Sequence, residues 1–138
     1  MSWIFYALGS AIFAGLVAIF GKLGLKGVDS TLATTVRAIV MALFLLIVSL
    51  SMGKLGGVGS LSNKAILYIV LSGVAGALSW LCYFIAIKYG PVSGVVAIDR
   101  LSVVAAIVLS ALFLGEAISA KIAIGGALIV AGALLVAL

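Results

Sequence analysis

Apolar runs of roughly helix-spanning length alternate along this chain with short breaks rich in Gly, Ser and Lys. The runs cover residues 3–21, 31–52, 64–88, 91–115 and 119–138. Crossing a hydrocarbon core about 30 Å thick takes a helix of about 20 residues, and such a segment satisfies its own backbone hydrogen bonds. The pattern therefore predicts an all-α integral membrane protein with five transmembrane helices, whose ends would face opposite sides. The first run is not read as a cleaved signal peptide, because it lacks a basic leader and is longer than a usual apolar signal core. In the breaks, Asp29, Ser30 or Thr31 is placed to cap the second helix, and Ser119 or Lys121 to open the fifth. Tyr89-Gly90-Pro91 is so short that the third and fourth helices are expected to form an antiparallel hairpin.

Faces within the runs refine the picture. Ala7, Ala11, Ala14, Ala18 and Gly21 recur at 4-3-4-3 spacing, a small-residue stripe of the kind that lets helix backbones approach closely in lipid. Ser72, Gly76, Ser79 and Tyr83 make one mildly polar face on the third helix. It either lines a path or packs through serine hydroxyls. Trp80 sits mid-span beside that face, and Tyr89 at its end suits the membrane interface. On the fourth helix Asp99, Ser102, Ala106 and Ser110 share a face, while Arg100 is expected to point about 100° away from Asp99. The fifth helix, with Gly125, Gly126, Ala127, Ala131 and Gly132, is expected mainly at a dimer contact.

Composition agrees: 67% of residues are hydrophobic and 8% charged, against about 45–50% and about 25% in soluble domains. The net charge of +5 does not imply nucleic acid, since the eight Lys and Arg are scattered singly or in pairs rather than clustered. There is no His and only one cysteine, Cys82, read as a small buried hydrophobe. No phosphate-binding, dinucleotide, nucleophile-elbow or metalloprotease motif occurs. Neither an enzyme, a metal site nor a cofactor is expected.

Candidate chemistry is concentrated in three charges. Ionisable groups inside a span are costly and by default mark a functional site. Asp99 and Arg100 lie within the fourth run, and Arg37 lies about six residues into the second, roughly 9–10 Å along its axis. Asp99 lies roughly 12 Å in, so both are expected near the midplane. Asp99 then pairs with Arg37 or with an Arg of a partner copy, and the Arg left over attracts an anionic or zwitterionic substrate group. The competing reading is a buried ion pair that only fixes helix register. Ser72, Ser79, Trp80, Tyr83 and Ser102 are the candidate path-lining residues.

Orientation in a membrane follows a Lys/Arg bias toward the cytoplasm. Here Lys54, Lys64 and Lys121 fall on the side of the N-terminus, and Lys22, Lys26 and Lys88 on the other, three against three. A chain without bias is expected to insert both ways and pair antiparallel with itself. That would give ten spans and an inverted repeat, the architecture of many secondary transporters.

Three stretches carry a resemblance. They are Ala18-Ile-Phe-Gly-Lys-Leu-Gly-Leu-Lys-Gly-Val-Asp-Ser30 with Thr35-Val-Arg37; Ala86-Ile-Lys-Tyr-Gly-Pro-Val-Ser93; and Ile98-Asp-Arg-Leu-Ser102 leading to Leu112-Phe-Leu-Gly-Glu116 and the Gly- and Ala-rich last helix. Together they resemble the EamA domain of the drug/metabolite transporter superfamily, and in particular its five-span single-domain members, over nearly the whole chain. The resemblance implies a single membrane domain over 1–138, half of a ten-helix inverted-repeat transporter, completed by an antiparallel dual-topology homodimer. It implies a secondary transporter or exporter of small metabolites or amino-acid-like solutes in the cell inner (plasma) membrane, multi-pass, with the lipid bilayer and a small-molecule substrate as partners. The small multidrug resistance branch differs: it has four spans and an essential Glu in its first helix, where this chain has no acid. Its cation–proton mechanism is therefore not carried over, and Asp99 is the one mid-span carboxylate for any proton coupling. By the family pattern Glu116 looks structural. The rival reading is a non-transporting membrane scaffold or accessory subunit.

Overall fold

The computed structural model describes residues 2–138, and among them the chain is all helical with no strand. The helices are α1 (Ser2–Gly24), α2 (Ser30–Ser51), α3 (Asn63–Tyr89), α4 (Val92–Asp99), α5 (Ser102–Leu114) and α6 (Ala120–Ala137). Among the described residues five stretches are long and apolar enough to cross a membrane: Trp3–Gly24, Ser30–Ser51, Asn63–Tyr89, Val92–Leu114 and Ala120–Ala137. The fourth is made of α4 and α5 in succession.

Helix ends follow the local chemistry. Asp29 is the N-cap of α2, and its Oδ1 accepts from the Thr31 N–H (2.9 Å) and the Leu32 N–H (3.0 Å). Ser119 caps α6 through the Ile122 N–H. A side-chain acceptor at this position satisfies donors that a helix start leaves without partners. Gly115 ends α5 at φ +68°, a left-handed turn that a residue with a Cβ resists.

Several sequence expectations are corrected. α1 continues three residues past Gly21 to Gly24, since apolar Leu23 extends the helix before the Gly-rich break. The gap between the second and third spans is not wholly irregular, because Leu55–Ser60 forms a 3-10 turn. The fourth span is not one uninterrupted helix over 91–115. Around Arg100 and Leu101 the Leu101 N–H donates to Ile98 (2.9 Å) and the Val103 N–H to Arg100 (3.0 Å), the i→i−3 pattern of a tightened turn. Cys82 is exposed rather than buried. An apolar side chain on a spanning helix has lipid as well as protein to face, so burial within the chain is not required of it.

Few apolar residues are buried: Ala18, Leu25, Phe84, Ile87 and Ala133. Large side chains such as Phe44, Leu78, Phe113 and Leu135 stand outward instead. In water that arrangement would be ruinous, but in lipid an exposed apolar side chain loses nothing.

The backbone divides into two compact units, residues 2–22 with 89–138, and 23–88. In the first, α6 packs on α4 and α5. Gly94 is buried, and a Cβ built on it would lie 3.3 Å from Pro91 Cγ and 3.7 Å from Ala137 Cα. A Cβ on buried Gly126 would lie 3.8 Å from Ile107 Cδ1. Gly126 and Ala133 are the buried residues of the last helix, while Ala127, Ala131 and Gly132 remain exposed along with Ile124, Leu128 and Leu135. Lys22 Nζ donates to the Gly90 carbonyl at 3.0 Å, tying the end of α1 to the turn before α4. The second unit contains α2, the 3-10 turn and α3.

Candidate functional site

In the first unit, Asp99 is the last residue of α4 and Arg100 follows it in the tightened turn. Arg100 does not point away from Asp99. Its Nη2 lies 3.7 Å from Asp99 Oδ2, with the two side chains 47% and 37% exposed. A straight helix would separate the Cβ directions of neighbours, but a long arginine leaving a tightened turn reaches back along it. The pair is electrostatic and longer than a direct hydrogen bond. Ser102 is exposed, and its hydroxyl bonds to none of the described residues. Ser110 donates to the Ile107 carbonyl of its own helix (3.0 Å). Of the polar face expected along this span, the structure brings together only Asp99 and Arg100, and the second member of that pair came from outside the face.

In the second unit, Arg37 lies in α2 with its guanidinium carbon 3.5 Å from the centroid of the Trp80 ring and 5.6 Å from that of Phe84. This is close cation–π stacking, favoured where water is sparse. Trp80 in turn meets Tyr83 edge-on (5.3 Å, 78°) and Phe84 (6.0 Å, 62°). Tyr83 and Phe84 are 6.2 Å apart. These edge-to-face geometries suit the ring quadrupoles. Trp80 and Tyr83 are half-buried and Phe84 is buried. Neither α2 nor α3 carries a carboxylate, and Asp99 makes its ion pair with Arg100. Ser72 and Ser79 are exposed, and their hydroxyls join neither group.

Phe84 is the member of this cluster that sequence reasoning missed. Its signal was available: Trp80, Tyr83 and Phe84 stand at i, i+3 and i+4 on α3, one helical face. Arg37 is seven residues into α2 and Trp80 nine from the end of α3, so two helices running in opposite directions bring them level.

Outside the spans, the carboxyl of Asp29 is held below its ordinary range. The Leu32 N–H is the main cause, with further help from the Thr31 N–H and the charge of Lys88, against some desolvation. Among the described residues no group of three or more His, Cys, Asp or Glu side chains is placed to hold a metal ion.

Comparison with known proteins decides the family. The model of the EamA-like transporter family matches residues 1–138. The chain belongs to the EamA-like transporter family. It is also 38% identical over 136 residues to a Sinorhizobium sp protein called "Uncharacterized transporter in cobO 3'region". That match covers 99% of this chain and 96% of the relative. No solved structure matches the chain. An EamA-like chain with five apolar spans is a multi-pass membrane protein with a transporter role.

Proposed function

We propose that this EamA-like chain, as one membrane domain, is a secondary transporter or exporter of small metabolites or amino-acid-like solutes. It works by alternating access as an antiparallel, dual-topology homodimer in the inner (plasma) membrane. The observation that carries the reading is the interrupted fourth span, whose α-helical bonding gives way beside the charged pair Asp99 and Arg100. Discontinuous helices are how many secondary transporters build solute and ion sites away from the membrane surface. Asp99, Arg100 and Arg37 are the substrate or coupling residues, with Trp80, Tyr83, Ser72, Ser79 and Ser102 along the path. A balanced charge count, three lysines on each side, supports insertion in both orientations.

The test combines topology and flux. In a Cys82→Ala background, single cysteines replace Lys26 and Lys54, and intact cells are treated with a membrane-impermeant thiol reagent. Partial labelling of both positions is the expected result. Labelling confined to one position overturns dual insertion. A pooled-metabolite uptake screen in proteoliposomes then tests transport itself, and a chain that moves no solute is a scaffold.

A further inference from the structure

The five guanidinium donors of Arg37 lie on a membrane-spanning helix, with an indole against one face and no carboxylate in α2 or α3. Arg37 is half-buried, so those donors remain reachable. An arginine kept at such a place needs an acceptor, since charge within a span is costly unless matched. A stacked guanidinium leaves its edge free, and that edge matches a carboxylate in bidentate fashion. Trp80 braces it, which cuts the entropy lost when a ligand binds.

We propose that Arg37, braced on Trp80 and flanked by Tyr83 and Phe84, is the carboxylate-binding subsite for small monocarboxylates carrying an apolar or aromatic group. This deepens the transporter reading and rests on it for the ligand's being cargo. Three observations narrow the class. First, Arg37 is the one charged side chain of α2 and carries a single positive charge, which a monoanion balances. Second, the neighbouring rings offer aromatic edges and faces to an apolar group. Third, α2 and α3 contain no acid, and the acid nearest in sequence, Asp29, caps its helix through Oδ1 about 12 Å along the axis from Arg37. This unit therefore offers a ligand ammonium no counter-charge beside the subsite.

Binding is measured by titration calorimetry on the full chain in lipid nanodiscs, with four probes sharing one ring: 3-phenylpropanoate, phenylalanine, phenethylamine and phenyl phosphate. Trp3→Phe leaves Trp80 as the remaining tryptophan, so its emission gives a second, local readout. The expected result is saturable binding of 3-phenylpropanoate that changes Trp80 emission, weaker binding of phenylalanine, and none of phenethylamine. Arg37→Gln is expected to weaken 3-phenylpropanoate by at least about tenfold, the loss of a charged hydrogen-bond pair. Arg37→Lys, which keeps charge without the fork, falls between. If Arg37→Gln does not fold, Trp80→Leu by calorimetry replaces it, with weakened binding expected. Several results overturn the proposal: no carboxylate binding, phenethylamine binding as well as the acid, phenyl phosphate binding more tightly than the acid, or indifference to both Arg37 substitutions and to Trp80→Leu. Flux separates the two readings. Carboxylate binding without transport of any solute leaves the subsite and removes the transporter. Transport indifferent to Arg37 leaves the transporter and removes the subsite.

Discussion

In the first unit α4 and α6 close on one another at Gly94 and Ala137, where almost no side chain intervenes. In the second, α2 and α3 are bridged by a guanidinium laid on an indole. The first arrangement depends on absent atoms and gains its energy from close backbone approach. The second depends on two particular side chains, both half-buried. Charge divides in the same way. Asp99 and Arg100 answer each other within one turn, whereas Arg37 lies against the π-face of Trp80. A seam of small residues is suited to holding fixed what should not move, and a stacked cation to receiving what arrives.

That contrast is open to attack from its strongest point downward. Gly94→Leu would drive a branched side chain into Ala137. A loss of about 1–3 kcal/mol is expected in chemical denaturation within nanodiscs, with Gly94→Ala far milder. Stability unchanged by the leucine would mean that the seam does not hold α4 to α6. Trp80→Leu removes the stack and should lower stability by about 0.5–2 kcal/mol. In a double-mutant cycle with Arg37→Gln the two effects should couple; simple additivity would dissolve the distinction drawn for the second unit.

Asp99→Asn strips Arg100 of its partner, but both side chains are substantially exposed, so a change within about 1 kcal/mol is expected. Its larger effect should be on flux, which would lose any dependence on a proton gradient; a proton-coupled variant would move the coupling away from this pair. The smallest effect belongs to Asp29. Because its folded-state value is depressed, its contribution is fully present above the ordinary carboxylate value of 3.8 and fades as pH falls through the lower one. Asp29→Asn should flatten the acid end of a stability profile below that value while leaving neutral pH nearly unchanged; an identical acid limb in both proteins would contradict the capping charge.

Much of the architecture could be read from the chain because it is imposed by the solvent. Five long apolar runs have few other uses, and Asp29, Ser119 and Gly115 each advertise a helix end through one local hydrogen bond or one dihedral angle. The tightened turn at Arg100 and Leu101 was not legible. No Pro or Gly stands there, and α and 3-10 turns differ by a small dihedral change that neighbouring helices can tip. The site was half legible for a related reason. Periodicity named a face carrying Ser72, Gly76, Ser79 and Tyr83, Trp80 was noted mid-span beside it, and charge in an apolar run named Arg37. Periodicity states which residues of one helix stand together, but not which neighbour they meet. The stacking of Arg37 on Trp80, and the membership of Phe84, therefore emerged only in three dimensions.

The tightened turn also resets the angular bookkeeping of the fourth span. A 3-10 residue advances about 120° where an α-helical one advances about 100°, so two such residues slip the wheel by about 40°. A scan of solvent-reactive positions along Val92–Leu114 would therefore not trace a single 3.6-residue rhythm. Its beat before Asp99 and its beat after Ser102 would be out of step, and a helical wheel drawn through both would misplace the serines of α5 by about 40°.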